Sequence, residues 1–189
     1  ANFYNGEYLP HWHPYEDYSL SYASNKKLGG GSLLTQIHEF DLVVNFFDQT
    51  NKIFAIGGHL SSLKIDVEDS VQVLMECSFN GNQFPVNVAL NYLNWPPKKE
   101  FSIIGENGNI FCDLIQNKLL YNDRIKSICE KIDYEDFDRN DMFIEEIKNF
   151  YGFFKGNNSP EIDLKESVKS LEIAIKAKES IELKDVLFL

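Results

Sequence analysis

Apolar positions recur with different periods along the chain. Between residues 29 and 48, Leu33, Leu34, Ile37, Phe40, Val44 and Phe47 fall at three- and four-residue steps, which predicts a helix with one apolar face. It follows the glycine run Gly29-Gly30-Gly31, which suits a sharp turn or a close approach rather than an element interior. Thr35, His38, Asp41 and Asn45 keep the same steps on another side, as a polar stripe. The pattern then changes to β-branched and aromatic runs, predicting strands over 52–66, 70–80, 84–93, 100–104, 109–113 and 118–121. Val71, Val73 and Met75 alternate with Gln72, Leu74 and Glu76, and Val86, Val88 and Leu90 with Asn87, Ala89 and Asn91. Asn80-Gly81-Asn82 and Glu106-Asn107-Gly108-Asn109 read as hairpin turns, because Asn-Gly accepts positive φ. Trp95-Pro96-Pro97 breaks the ladder.

Helical spacing returns over 141–154, with Phe143, Ile144, Ile147, Phe150, Tyr151 and Phe154 on one stripe closed by Gly156. Asp163 and Glu166 form a capping-box start, and Leu164, Val168, Leu171, Ile175 and Lys178 carry a helix to about Glu182, followed by a short strand or tail. Residues 1–25 show no period and predict a long irregular segment, with no strand before the glycine run; Tyr8, His11, Trp12, His13 and Tyr18 crowd it. Consecutive strands without intervening helices favour an antiparallel or mixed sheet over a doubly wound one. The fold class is therefore α+β: a large open, mainly antiparallel sheet with helices packed on one face, forming a single domain over 1–189.

Composition narrows the functional classes. A chain of 189 residues with 43% hydrophobic and 25% charged residues is that of a soluble globular domain. The net charge of -11 argues against nucleic acid, and no apolar run approaches the roughly 20 residues of a membrane span. Cys77, Cys112 and Cys129 are odd in number and lack metal-like spacing, which favours a reducing, cytoplasmic setting. His11-x-His13 could hold a metal if extended, but only Glu16 and Asp17 stand nearby, so substrate contact or packing is preferred and no metal is expected. His59 reads as structural or exposed. No Gly-x-Gly-x-x-Gly or Walker-type loop occurs, so the chain lacks a nucleotide-binding signature.

Three groups of residues carry a resemblance. The first is Gly6-x-Tyr8-Leu9-Pro10-x-Trp12-His13-Pro14-x-Glu16-Asp17-Tyr18, followed by Leu28-Gly29-Gly30-Gly31-x-Leu33-Leu34-x-x-x-His38-Glu39-x-Asp41. The second is Asn91-Tyr92-Leu93 with Ile103-Ile104-Gly105-Glu106-Asn107-Gly108, and the third Asp141-Met142-Phe143 with Glu146 and Ala177-Lys178-Glu179-Ser180. Together they resemble the C-terminal, substrate-side half of the glucose–fructose oxidoreductase / inositol dehydrogenase / MocA family.

The resemblance implies a two-domain oxidoreductase or dehydrogenase using NAD or NADP, whose dinucleotide-binding domain, with its cofactor contacts and catalytic lysine, lies outside this chain. It places the catalytic proton acid/base at His38. It implies substrate contacts at His11, Trp12, His13, Asp17, Tyr18, Lys26, Thr35, Asp41 and Tyr92, with a hydroxyl of a sugar, sugar nucleotide or polyol as the reacting group. By itself the chain is expected to bind no cofactor and to be inactive. A homodimer or higher homo-oligomer is expected through the sheet face, between residues 52 and 121. Thr35 and Asn91 stand where many relatives have aspartate; Asp41 either compensates or holds the helix start. The alternative is a non-catalytic sugar-binding or dimerisation module of the same fold.

Overall fold

The computed structural model describes residues 1–160 and 162–189. Nine strands make one sheet: β1 (Asn2–Gly6), β2 (Gln49–Gly58), β3 (Ser70–Phe79), β4 (Asn82–Asn91), β5 (Lys98–Gly105), β6 (Gly108–Asp113), β7 (Lys118–Asp123), β8 (Ile128–Asp133) and β9 (Leu187–Phe188). They lie in the order β8-β7-β6-β5-β1-β4-β3-β2-β9. Among the described residues only β1 and β4 run parallel; the other neighbours are antiparallel. The helices are α1 (Ser32–Thr35), α2 (His38–Phe46), α3 (Arg139–Phe154) and α4 (Leu164–Leu183). The α+β class and the open, mainly antiparallel sheet agree with the sequence pattern.

Alternation sets the core. Val71, Val73, Met75 and Cys77 of β3 and Val86, Val88 and Leu90 of β4 turn inward, and each is buried. They meet Leu33 of α1, Phe40 and Val43 of α2, and Ile173, Ala174 and Ala177 of α4. Burying one such large side chain stabilises the fold by about 1.5–3 kcal/mol. The opposite face carries Ile56, Leu74, Ile104 and Phe111, all exposed, together with the ion pairs Lys52–Glu76 at 3.1 Å and Lys98–Glu100 at 2.7 Å. Asn80 and Gly81, at φ 50° and 78°, form the β3–β4 turn as their sequence predicts.

The structure corrects several sequence expectations. Residues 2–6 are a strand in the middle of the sheet, held by β4 on one side and β5 on the other. The single helix expected after the glycine run is two helices, broken at Gln36 (φ -103°, ψ 30°). β2 ends at Gly58, so His59 lies in the loop that follows, and β8 is an additional edge strand. α4 keeps its Asp163/Glu166 capping box, but its buried face is Ser170, Ile173, Ala174, Ala177 and Ser180. Leu164, Val168, Leu171 and Ile175 are exposed instead. Small residues let the helix approach β2 closely: Ala55 N–H donates to Ser180 Oγ at 3.0 Å, and that hydroxyl donates to the Asp185 carbonyl.

Candidate functional site

Gly6, Asn91, Ser70 and Lys98 lie side by side, so β1 and β4 end, and β3 and β5 begin, at one edge of the sheet. The connections 7–31, 59–69 and 92–97 all leave from this edge. Residues 9–28 fold into four short 3-10 turns, and side chains fix two of them: Asp17 accepts from Ser19 N–H at 3.0 Å and Asn25 from Lys27 N–H at 2.9 Å. The bonds from Ser19 hold the exposed Asp17 carboxyl below its ordinary value.

The glycine run then enters α1. At Gly30 a Cβ would lie 2.5 Å from the Tyr22 carbonyl oxygen, so the loop can close only over a bare backbone. Gly31 has φ 105°, and a Cβ there would sit 2.2 Å from the Glu68 carboxylate. That carboxylate accepts from Leu33 N–H at 3.2 Å, while Ser32 N–H donates to the Glu68 carbonyl at 3.0 Å. Lys178 of α4 pairs with Glu68 at 3.4 Å. A protein carboxylate already stands at the start of α1, so this turn does not fit the pyrophosphate of a dinucleotide.

Tyr92 is the post under the N-terminal loop. It is fully buried, its hydroxyl shares a 2.5 Å hydrogen bond with Thr35 Oγ1, and it donates to the Ala23 carbonyl at 3.3 Å. Burial pushes its phenol well above the usual range, so the group stays neutral and can donate. The Trp12 ring packs edge-on against it at 5.4 Å, and Tyr18 packs into the same apolar cluster. Its hydroxyl accepts from Lys64 N–H at 3.2 Å. Trp12, Tyr18, Thr35 and Tyr92 thus converge on one small core beneath the loop.

The remaining predicted residues are more dispersed. His11 is exposed, edge-on to Tyr8 at 4.9 Å and to Trp95 at 6.2 Å. His13 turns to Tyr15, whose hydroxyl is 3.2 Å from its Nδ1. Lys26 lines a separate cleft of about 290 Å³ with His59, Asp66, Glu68, Lys178 and Glu182. His38 opens α2, is exposed, and has no hydrogen-bond or ion-pair partner among the described residues; Asp41, one turn on, is half-buried. The helix break separates Thr35 from the stripe, and its hydroxyl is spent on Gly31 and Tyr92. Among the described residues no group of three or more His, Cys, Asp or Glu side chains could hold a metal.

A polar cluster that no sequence pattern announces lies beside His38. Glu39, fully buried, accepts from Asn5 Nδ2 at 2.9 Å and pairs with Lys99 Nζ at 3.3 Å. Burial is the main cause raising its carboxyl, and the charge of Glu7 adds to it, against the opposing pull of Lys99 and Asn5. Gln36 Nε2 donates to the Asn91 carbonyl at 3.2 Å. The only hint in the sequence is that Gln36 and Glu39 stand three apart, on one side of the turn that carries Ile37 and His38.

The sequence profile of the GFO/IDH/MocA C-terminal domain matches residues 3–111. No curated protein sequence matches the chain. Among solved structures, levoglucosan dehydrogenase in complex with NADH is 14% identical with a TM-score of 0.79, over 99% of this chain and 57% of that one. The WlbA dehydrogenase from Bordetella pertussis, in complex with NADH and UDP-GlcNAcA, is 14% identical with a TM-score of 0.73, over 100% and 54%. UDP-N-acetylglucosamine 3-dehydrogenase GnnA from Acidithiobacillus ferrooxidans is 17% identical with a TM-score of 0.72, over 96% and 53%. At such identities the likeness is one of fold, and the chain spans little more than half the length of each.

Proposed function

The chain belongs to the GFO/IDH/MocA family through its C-terminal domain, and from that premise we propose that it is the substrate-side part of an NAD(P)-dependent oxidoreductase. The substrate is a sugar, sugar nucleotide or polyol, and the dinucleotide is held by a domain outside this chain. The observation that carries the reading is the exposed His38 imidazole, unpaired among the described residues, at the head of the helix that follows the glycine turn. An imidazole there has its nitrogens available, and a ring nitrogen can both accept and donate a proton, so it suits taking a proton from a reacting hydroxyl or returning it. His11, with Trp95 beside it, offers aromatic surface and ring nitrogens to a polyhydroxylated ring. That solved dehydrogenases with this fold carry sugars and sugar nucleotides in their names supports the substrate class.

The open sheet face, with Leu74, Ile56 and Phe111 among charged pairs, is proposed as the surface of a homodimer or higher homo-oligomer. Free cysteines, with Cys77 buried as a thiol, support a reducing cytoplasmic setting.

A second reading has its own observation. Thr35 carries a hydroxyl in place of a carboxylate, and that hydroxyl is engaged by Gly31 and Tyr92 rather than His38, whereas a non-catalytic sugar-binding or dimerisation module would need no such partner. Reduction of NAD and NADP by the full-length protein, across a panel of sugars and sugar nucleotides, separates the two. Turnover is expected, and His38→Ala should lower kcat by about 100-fold or more. Ligand binding without turnover on any substrate favours the module.

A further inference from the structure

The polar cluster beside His38 carries an inference that rests on the reading of His38 as acid/base. Glu39 is fully buried, yet only one of its oxygens is engaged: Oε1 receives Asn5 and Lys99, and Oε2 has no partner among the described residues. Gln36 repeats the pattern, since its Nε2 is bonded to Asn91 and Asn5 while its Oε1 is unpaired. Buried acceptors left open are destabilising, and a buried ion pair is commonly replaceable by apolar side chains without loss. Stability is therefore a poor reason for this cluster. What it supplies is direction.

The first turn of α2 needs that direction. Its N-cap, Ile37, makes no side-chain capping bond, and the chain has just broken from α1 at Gln36. The residues on either side of the break reach inward instead: Gln36 to the end of β4 and to Asn5 of β1, Glu39 to Asn5 and to Lys99 of β5. Asn5 and Lys99 are paired in register across β1 and β5, so the clamp closes on two adjacent strands at the edge where the site lies. Successive helix residues point about 100° apart. With Glu39 held inward, the imidazole of His38 leaves the helix in one direction, toward the exposed side.

We propose that Glu39, together with Lys99, is a positioning residue that aims the His38 imidazole by clamping the first turn of α2 onto β1 and β5.

The experiment is steady-state kinetics and thermal unfolding of the full-length protein carrying His38→Ala, Glu39→Gln, Lys99→Met or Glu39→Gln/Lys99→Met. Glu39→Gln keeps the shape and releases Lys99, which is a quarter exposed and can turn to water. It should lower kcat about tenfold, an intermediate loss for a misaimed acid/base, with KM within about twofold and Tm nearly unchanged. Lys99→Met strands the buried carboxylate and should cost more than the double variant, in which no buried charge is left alone. Wild-type kcat in both Glu39→Gln and the double variant, with His38→Ala inactive, overturns the positioning role and leaves the reading of His38 intact. Full activity in His38→Ala overturns that reading and the inference with it. A fall in kcat that merely follows a fall in Tm assigns Glu39 to the fold and also overturns the proposal. If Glu39→Gln does not fold, the double variant decides by the same split between kcat and KM.

Discussion

Along β3 and β4 alternate side chains are buried beneath α1, α2 and α4, whereas no residue of β5, β6, β7 or β8 is buried. The α3 helix belongs with the second group: its Phe143, Ile147, Phe150 and Phe154 are all exposed. The same sheet thus joins a half with its own core to a ribbon of hairpins held mainly by ladder bonds and half-covered side chains. Phe101 of β5 marks the boundary, stacked on Phe3 at 5.7 Å and against Phe46 of α2 at 5.3 Å. Stability is concentrated on one side of that boundary. Exposed apolar side chains occur on both, Ile56 and Leu74 beside the core and Ile104 and Phe111 beyond it.

The strongest way to break this contrast is to make one deletion in each half. Phe40 of α2 is fully buried among the strands, and Phe40→Ala should destabilise the chain by about 3–5 kcal/mol, the usual cost of emptying such a site. Phe150→Ala, on the exposed stripe of α3, should change stability by no more than about 0.5 kcal/mol. Urea unfolding of the two variants measures both. A comparable loss in Phe150→Ala would mean that α3 is packed in solution.

The cysteines sharpen the contrast with one residue type. Cys77 is fully buried in the core, where burial pushes its thiol up; Cys112 is half-covered in β6 and also raised by burial; Cys129 is exposed on β8. Since the thiolate is the reacting form, a soluble alkylating reagent should modify Cys129 first, Cys112 more slowly, and Cys77 only after unfolding. Cys77→Ser replaces a buried thiol, 3.6 Å from the Thr50 hydroxyl, by a smaller and more polar group and should cost about 1–3 kcal/mol, whereas Cys129→Ser should be silent. Mass spectrometry of timed alkylation checks the order.

The half with the core is also the half that could be read from the chain. Val71, Val73 and Met75 against Gln72, Leu74 and Glu76 give strand and face together, because burial on one side enforces a period of two. β1 was hidden: Asn2, Asn5 and Gly6 are poor strand formers, and only its neighbours β4 and β5 make the segment extended. The break at Gln36 was hidden as well, since the apolar period from Leu33 to Phe47 runs straight through it. For α4 the larger apolar residues drew the stripe to the wrong face, while Ala174, Ala177 and Ser180 did the packing.

At the site, local motifs located the loop and the glycine turn and singled out His38, but not that His38 opens a helix of its own. They could not tell that Thr35 faces Tyr92 rather than His38, or that Lys26 lies in a different cleft. Nor could they join Glu39 to Lys99, a pairing made only by the register of β1 with β5.

The smallest expected effect concerns the charged pairs of the open face. Lys52–Glu76 at 3.1 Å lies in the half with the core, and Lys131–Asp133 at 2.8 Å on the edge strand β8; both are partly solvated. In an isolated chain Glu76→Ala and Asp133→Ala should each cost no more than about 1 kcal/mol, because solvent screens such pairs and ordering two long side chains opposes the gain. The two halves should then look alike, since coverage by α1, α2 and α4 concerns the other face. Protein concentration separates them if a second copy covers part of this face, because association adds stability by mass action. Thermal unfolding of both variants at low and high concentration should show a deficit growing with concentration for the pair that lies under the partner. Equal, small and concentration-independent losses would mean that the open face is solvated in both halves.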